Sequence, residues 1–280
     1  MDRRDFLKAA GLGAVLLYGP QALWAEQSSA RRRVLVLVEL KGGNDGLNTV
    51  IPFADPAYQR LRPGIGIAAD KTLKLSEQIG LHPALEPLMA SWKARDMAIV
   101  QGVGYPTPNR SHFRSIEIWD TASRSNEYLD EGWIAQAWEG KLPKGLMAEA
   151  LVLGDGDDGP TRGPDMRTIS MQGIQQLQRG AKRLLKDRQT DPASAKNPAL
   201  AHLLKTQLDV LQASEGLQAS MKDAPALGVP FPATPIGKEL ELAAQLVAAN
   251  VPVLVLKVSH GSFDTHAGQL NRHNALLTQL

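Results

Sequence analysis

A chain of 280 residues with 43% hydrophobic side chains, 25 Gly and 18 Pro holds enough apolar material for a substantial globular core and is too apolar to be disordered. Its 31 Lys and Arg against 29 Asp and Glu leave a formal charge of +2, with 5% aromatic residues, so the basic field that grips a nucleic-acid backbone is missing. Cysteine is absent, which excludes disulfides, thiolate metal sites and a cysteine nucleophile; any metal must sit on His, Asp, Glu or other oxygen donors.

The first 25 residues carry Arg3 and Arg4, then Phe6, Leu7 and Lys8, an apolar stretch over 9–18 and a short segment over 20–25. This pattern resembles a twin-arginine export signal. Its apolar run is about half the roughly 20 residues a membrane span needs, so a targeting segment is expected and not a stable span. Cleavage is expected after Ala25, although Leu23-Trp24-Ala25 departs from the small-x-small pattern and leaves an uncleaved anchor open. The resemblance implies the twin-arginine translocase as a partner, folding before export, and a periplasmic or secreted location. Arg31, Arg32 and Arg33 read as a solvated linker.

A run of Val and Leu over 34–38 predicts a strand buried on both faces, and it empties into the glycine-rich loop 41–46. In that loop Asp45 follows Asn44 and precedes Gly46, where tight backbone turns let a ligand approach; it reads either as a metal-ligating carboxylate or as turn chemistry. The loop lacks both a dinucleotide fingerprint and a phosphate-loop lysine. Apolar residues at three- and four-residue steps predict a helix over 82–95, with His82 near its start, and 97–103 reads as a second buried strand.

Helices are expected over 111–121 and 132–139. Ser111 opens the first of them, among unpaired amides and the positive end of the helix dipole, so it reads either as a plain N-cap or as a nucleophile, with His112 and Arg114 beside it in sequence. Short strands are expected over 151–153 and 166–171. Between them, residues 154–159 resemble a calcium loop without its closing glutamate and read as a solvated turn. Two helices fill 175–222, broken near Asp191-Pro192 and Asn197-Pro198, and residues 173–235 are expected to form a side layer or cap.

A helix over 236–249 and a strand over 251–258 complete the alternation, and strands alternating with helices predict a three-layer α/β/α sandwich with a largely parallel sheet. Ligands in such sheets sit beyond the carboxyl ends of the strands. The loop after 258 holds His260, Asp264 and His266, whose imidazoles and carboxylate suit a divalent zinc, manganese or calcium ion. The competing reading makes Asp264 a helix cap and the histidines ordinary hydrogen-bonding groups. His273, one helix further on, reads as a surface or supporting residue, and His202 as packing or surface. The final helical pattern, through Leu276, Leu277 and Leu280, has no stop signal, which predicts that the chain is truncated there.

Several motifs agree in order with a known family: the twin-arginine start, the segment Glu39 to Asn48, the segment Asn109 to Phe113 with Gly132 and Trp133, and Phe263 to His266. Together they resemble the exported bacterial domain-of-unknown-function family 1501, over nearly all of residues 1–280. That family is similar to the alkaline phosphatase and sulfatase superfamily. The resemblance implies one alkaline-phosphatase-like domain over 26–280, a metal-dependent hydrolase of small anionic phosphate or sulfate esters, Asp45, Asp264, His266 and His260 at the metal, and Ser111 as nucleophile with Arg114 and His112. The superfamily's last Asp-His pair and final histidine would fall beyond Leu280, so the chain is expected to hold part of a site. The alternative is an exported binding or assembly protein on the same scaffold without the chemistry.

Overall fold

The computed structural model describes residues 33–187 and 197–280; the segment expected to be an export signal and the expected break at Asp191-Pro192 lie outside them. The described chain is α/β and contains a four-stranded parallel sheet in the order β1-β7-β5-β6, from β1 (Leu35–Leu40), β5 (Ala150–Leu153), β6 (Thr168–Met171) and β7 (Val255–His260). A three-stranded antiparallel sheet is built from β2 (Val50–Ile51), β4 (Gly80–Leu81) and β3 (Leu73–Lys74), in that order.

The helices are α1 (Gly46–Thr49), α2 (Pro56–Leu61), α3 (Met89–Ala94), α4 (His112–Thr121), α5 (Trp133–Trp138), α6 (Ile174–Asp187), α7 (Pro198–Met221), α8 (Pro235–Ala248) and α9 (Gln269–Gln279). Among the described residues, no helix is long and apolar enough to cross a membrane.

The described residues divide into two compact units: one from Gly102–Pro230, Glu241–Val258 and the start of β1, the other from Val38–Gln101, Phe231–Leu240 and Ser259–Leu280. The first unit holds the centre of the parallel sheet. Ala150, Leu151, Val152 and Leu153 are fully buried, as are Leu256 and Val258, because these strands are covered on both faces and must therefore be apolar throughout. Their register pairs Leu151 with Leu256 and Val152 with Lys257. Glu149, just before β5, grips Arg167, just before β6, through two bonds of 2.8 and 2.9 Å and also accepts the Arg167 amide at 2.8 Å, which ties the strand starts together. Helix α5 contributes Ile134 and Ala135 to the core against Ala150, Val255 and Met166.

Lys257 is the exception in this apolar strand, with no exposed surface. Its aliphatic stem follows the sheet, and its Nζ donates to the carbonyl of Asp157 at 2.8 Å and to Asp157 Oδ1 at 2.9 Å. The loop after β5 is therefore anchored at Asp157 and is more than a solvated turn.

The second unit packs Leu81, Leu85, Phe263 and Leu277 into its own core, with a smaller cluster of Ile51, Tyr58 and Ile67. Pro87 lies inside the predicted helix 82–95, which is drawn as a tight 3₁₀ turn over Pro83–Leu88 running into α3, because proline removes an amide donor there. His82 does cap that turn, its Nδ1 accepting the Ala84 amide at 3.0 Å.

Two strand expectations change. Residues 97–103 form no strand: Met97 and Ile99 pack on the core, but Val100 and Val103 are 58% and 44% exposed, and the pattern serves one-sided packing without a partner strand. The start of β1 is also outward, with Leu35 44% and Val36 40% exposed, as its place at the sheet edge dictates.

Candidate functional site

The loop after β7 carries the most pronounced chemistry in the second unit. Ser262 adopts a left-handed φ of 73°, after which buried Phe263 and Thr265 alternate with outward Asp264 and His266. Extended backbone sends alternate side chains to opposite sides, so two residues anchor the loop while two present a carboxylate and an imidazole together. Asp264 Oδ1 lies 2.7 Å from His266 Nε2, with the side chains 47% and 82% exposed. Asp264 does not cap the next helix, whose N-cap is Gly268.

This loop rests on the loop after β1. The Phe263 amide donates to the Lys41 carbonyl at 3.1 Å, and the Lys41 amide donates to His260 O at 2.9 Å. Gly42, at φ 100°, lies so close that a Cβ there would meet the Asp264 amide nitrogen at 3.0 Å. The two post-strand loops of this unit do meet at one rim, as the fold rule requires.

The carboxylate of Asp45 nevertheless points elsewhere. Its Oδ1 accepts the Asn48 amide at 3.2 Å and caps α1, while its Oδ2 is paired with Arg62 and accepts a hydrogen bond from Gln269. Among the described residues it does not join Asp264 and His266 as a shared ligand set. Arg62 neutralises it, and both of its oxygens accept from protein donors. In this structure the carboxylate expected at the metal is engaged by Arg62 and Gln269.

His260 also departs from the expected ligand set. It is buried, its Nε2 donates to the Leu276 carbonyl at 3.0 Å, and its ring meets Phe263 edge-on at 5.2 Å. Its role is to fasten α9 to the end of β7.

His273 is 1% exposed and is no surface residue. The Asn44 amide nitrogen donates to Thr49 Oγ1 at 3.1 Å, so the Asn44 oxygen faces His273 and takes the Nε2 proton at 2.9 Å. Its Nδ1 is then unprotonated, buried and without a hydrogen-bond partner. The ring stands edge-on to His82 at a centroid distance of 5.5 Å. Burial, followed by the His273 charge, holds His82 down at about 4. Burial likewise lowers His273, with Arg62 acting the same way and Asp45 opposing. Both rings are therefore neutral at pH 7.

In the first unit, Ser111 sits at the N-cap of α4 with extended φ and ψ of −73° and 124°, but its side chain makes no capping bond. The adjacent Asn109 takes the Ser111 amide at 2.8 Å, and Tyr105 holds the Asn109 amide at 3.1 Å. The Ser111 hydroxyl is thus exposed beside the first amides of α4, which have no partners within the helix. His112 is exposed next to it.

Arg114, expected to act with Ser111, is committed elsewhere. It is 9% exposed, donates to the carbonyls of Arg124 and Ser125 at 3.3 and 3.4 Å and to that of Glu127, pairs with Glu117 at 2.9 Å, and lies 3.8 Å from the centre of the Tyr128 ring. A cation so surrounded by carbonyls is a clamp on the loop 124–128.

His112 in the first unit, and Asp264 and His266 in the second, are exposed side chains with donors suited to a divalent ion. A carboxylate beside an imidazole fits zinc or manganese better than calcium, which favours oxygen ligands throughout. The residues missed by sequence reasoning are the partners of Asp45, namely Arg62 and Gln269, while His273, read as a surface or supporting residue, supports Asn44. Gln269 and His273 stand four apart on α9, a spacing that puts them on one face, and this was the one available signal. No protein-family model matches the chain, and no curated protein or solved structure was found to match it.

Proposed function

We propose that the protein is an exported, metal-dependent hydrolase of phosphate or sulfate esters on an alkaline-phosphatase-like α/β scaffold, as its resemblance to family 1501 implies. The observation that carries the reading is the outward Asp264–His266 pair, presented by a loop at the carboxyl end of a buried parallel strand. When bound there, a divalent ion supplies Lewis-acid polarisation of an ester oxygen and lowers the pKa of a hydroxyl nucleophile.

The chain's own residues do the rest. Asp264 and His266 would hold the ion, the carboxylate orienting the imidazole through their mutual contact. Phe263 and Thr265 keep the pair facing solvent. Ser111 is the nucleophile of this reading, since a hydroxyl at a helix start without a capping bond is available for attack. His112, next to Ser111 in sequence, is the base of this reading.

The test is hydrolysis of p-nitrophenyl phosphate and p-nitrophenyl sulfate by the full chain with zinc or manganese, beside Asp264→Ala, His266→Ala and Ser111→Ala, with metal content measured on each. The reading expects bound metal to fall in the first two variants and rates to fall roughly 100-fold in all three. Equal rates throughout reject it.

A second reading, an exported binding or assembly protein, is favoured by the capture of Asp45 by Arg62 and of Arg114 by the loop 124–128. Metal retained at Asp264 and His266 without turnover of either ester would select it.

A further inference from the structure

A separate cavity of 830 Å³ lies wholly within the first unit, at the carboxyl ends of β5 and β6. One wall is the loop after β5, where Gly154 turns with φ 81° and its amide donates to the carbonyl of Met171 at 3.0 Å. Asp155 accepts a bond of 2.5 Å from Gln172, so the loops after β5 and β6 are fastened into one polar rim. Behind that rim the buried Lys257 holds Asp157. The opposite wall is α6, which brings Arg179 and Arg183 to the cavity one turn apart, with Leu177 and, from α7, Val210 as an aliphatic surface.

The chemistry of the two walls is opposed. Two guanidinium groups four residues apart on a helix face in one direction and match the oxygens of a doubly charged phosphate. Neither forms an ion pair among the described residues. The facing rim presents a carboxylate and a side-chain amide, which repel an anion but accept from and donate to hydroxyl groups. Between them the aliphatic surface suits carbon-bound hydrogens. The volume falls within the range of small-molecule sites.

We propose that this cavity binds a phosphorylated sugar or polyol, with the phosphate on Arg179 and Arg183 and the hydroxyls on Asp155 and Gln172. The site is distinct in residues from Asp264 and His266 and needs no metal. It stands whether or not the chain hydrolyses esters.

The experiment is calorimetric titration of the full chain with ribose 5-phosphate in the presence of EDTA, which removes metal from the other site. The proposal expects saturable one-to-one binding that persists in His266→Ala and weakens at least about tenfold in the double variant Arg179→Gln/Arg183→Gln. Both arginines are exposed, so the double variant should keep its fold, checked by an unchanged melting temperature. Ribose and inorganic phosphate, titrated separately, should each bind at least about tenfold more weakly than the joined molecule. Asp155→Ala should weaken ribose 5-phosphate and leave inorganic phosphate unaffected. Absence of saturable binding, undiminished binding in the double variant, or inorganic phosphate binding as tightly as ribose 5-phosphate would overturn the proposal. Loss of binding in His266→Ala alone would overturn it too, by moving the ligand to the loop after β7.

Discussion

The loops that follow β1 and β7 each offer one aspartate, and they use it in opposite ways. Asp45 is half-buried, caps a helix and is neutralised by Arg62, whereas Asp264 is turned outward beside His266. The difference lies in what arrives from elsewhere in the chain. Arg62 comes from the end of α2 and Gln269 from the start of α9, and both converge on Asp45. Asp264 is kept outward by the burial of its neighbours Phe263 and Thr265. A carboxylate in a post-strand loop is therefore left accessible or made a structural anchor according to its long-range partners, and local sequence does not tell the two apart.

The contrast can be broken most directly at Asp45. Asp45→Ala should destabilise the second unit by about 3–5 kcal/mol, since it removes a cap and leaves Arg62 without its counter-charge in a largely buried position. Asp264→Ala should change stability by less than about 0.5 kcal/mol, being exposed. Chemical denaturation of both variants checks the pair; equal losses would dissolve the distinction.

Acidification tests the same region without mutation. The folded-state value of His82 lies near 4, below the 6.5 of an unfolded histidine, so between these values the unfolded chain binds more protons. Stability is then complete above about pH 6.5 and declines by roughly 3 kcal/mol as the pH falls through 4, with the lowered His273 adding in the same direction. Denaturation midpoints measured from pH 7 to pH 4 should show this slope, and His82→Asn should flatten it.

The seating of one loop on the other is sharpened by Gly42→Ala. The positive φ and the close approach to Asp264 predict a loss of about 1–2 kcal/mol and a displaced Asp264–His266 pair, read as weakened metal binding. The smallest effect is expected at Ser111. A capping serine costs about 1 kcal/mol on replacement by alanine, but here the cap bond is missing, so Ser111→Ala should leave stability within about 0.5 kcal/mol. A larger loss would mean that the hydroxyl caps α4 after all and is less available for attack.

Much of the fold was legible because it is locally coded. The apolar runs that became β5 and β7, the helical spacing of α4, α5 and α8, and the Asn197-Pro198 start of α7 all declare themselves within a few residues. The failures have one form. Residues 97–103 carry the composition of a strand but find no partner, and Val34 to Val36 carry the composition of a central strand yet lie at an edge. Periodicity reports how many faces a segment could bury, and only its neighbours decide how many it does.

The candidate site was legible to the same degree. Asp264 and His266 were identified from a loop signal and are found together, and Ser111 was placed correctly at a helix start. His260, Arg114 and Asp45 were identified by the same reasoning and are engaged by Leu276, by the carbonyls of 124–127 and by Arg62. Each capture bridges 10 to 17 positions along the chain.

The sequence alone determined the alternation of strands and helices, the exclusion of thiol chemistry and the residue types available to hold a cation, because these follow from composition and short-range periodicity. Tertiary structure decided which charged groups remained accessible. Burial makes an ionised side chain so costly that it must be paired, and the partners that pair it come from distant stretches of chain that no local pattern specifies.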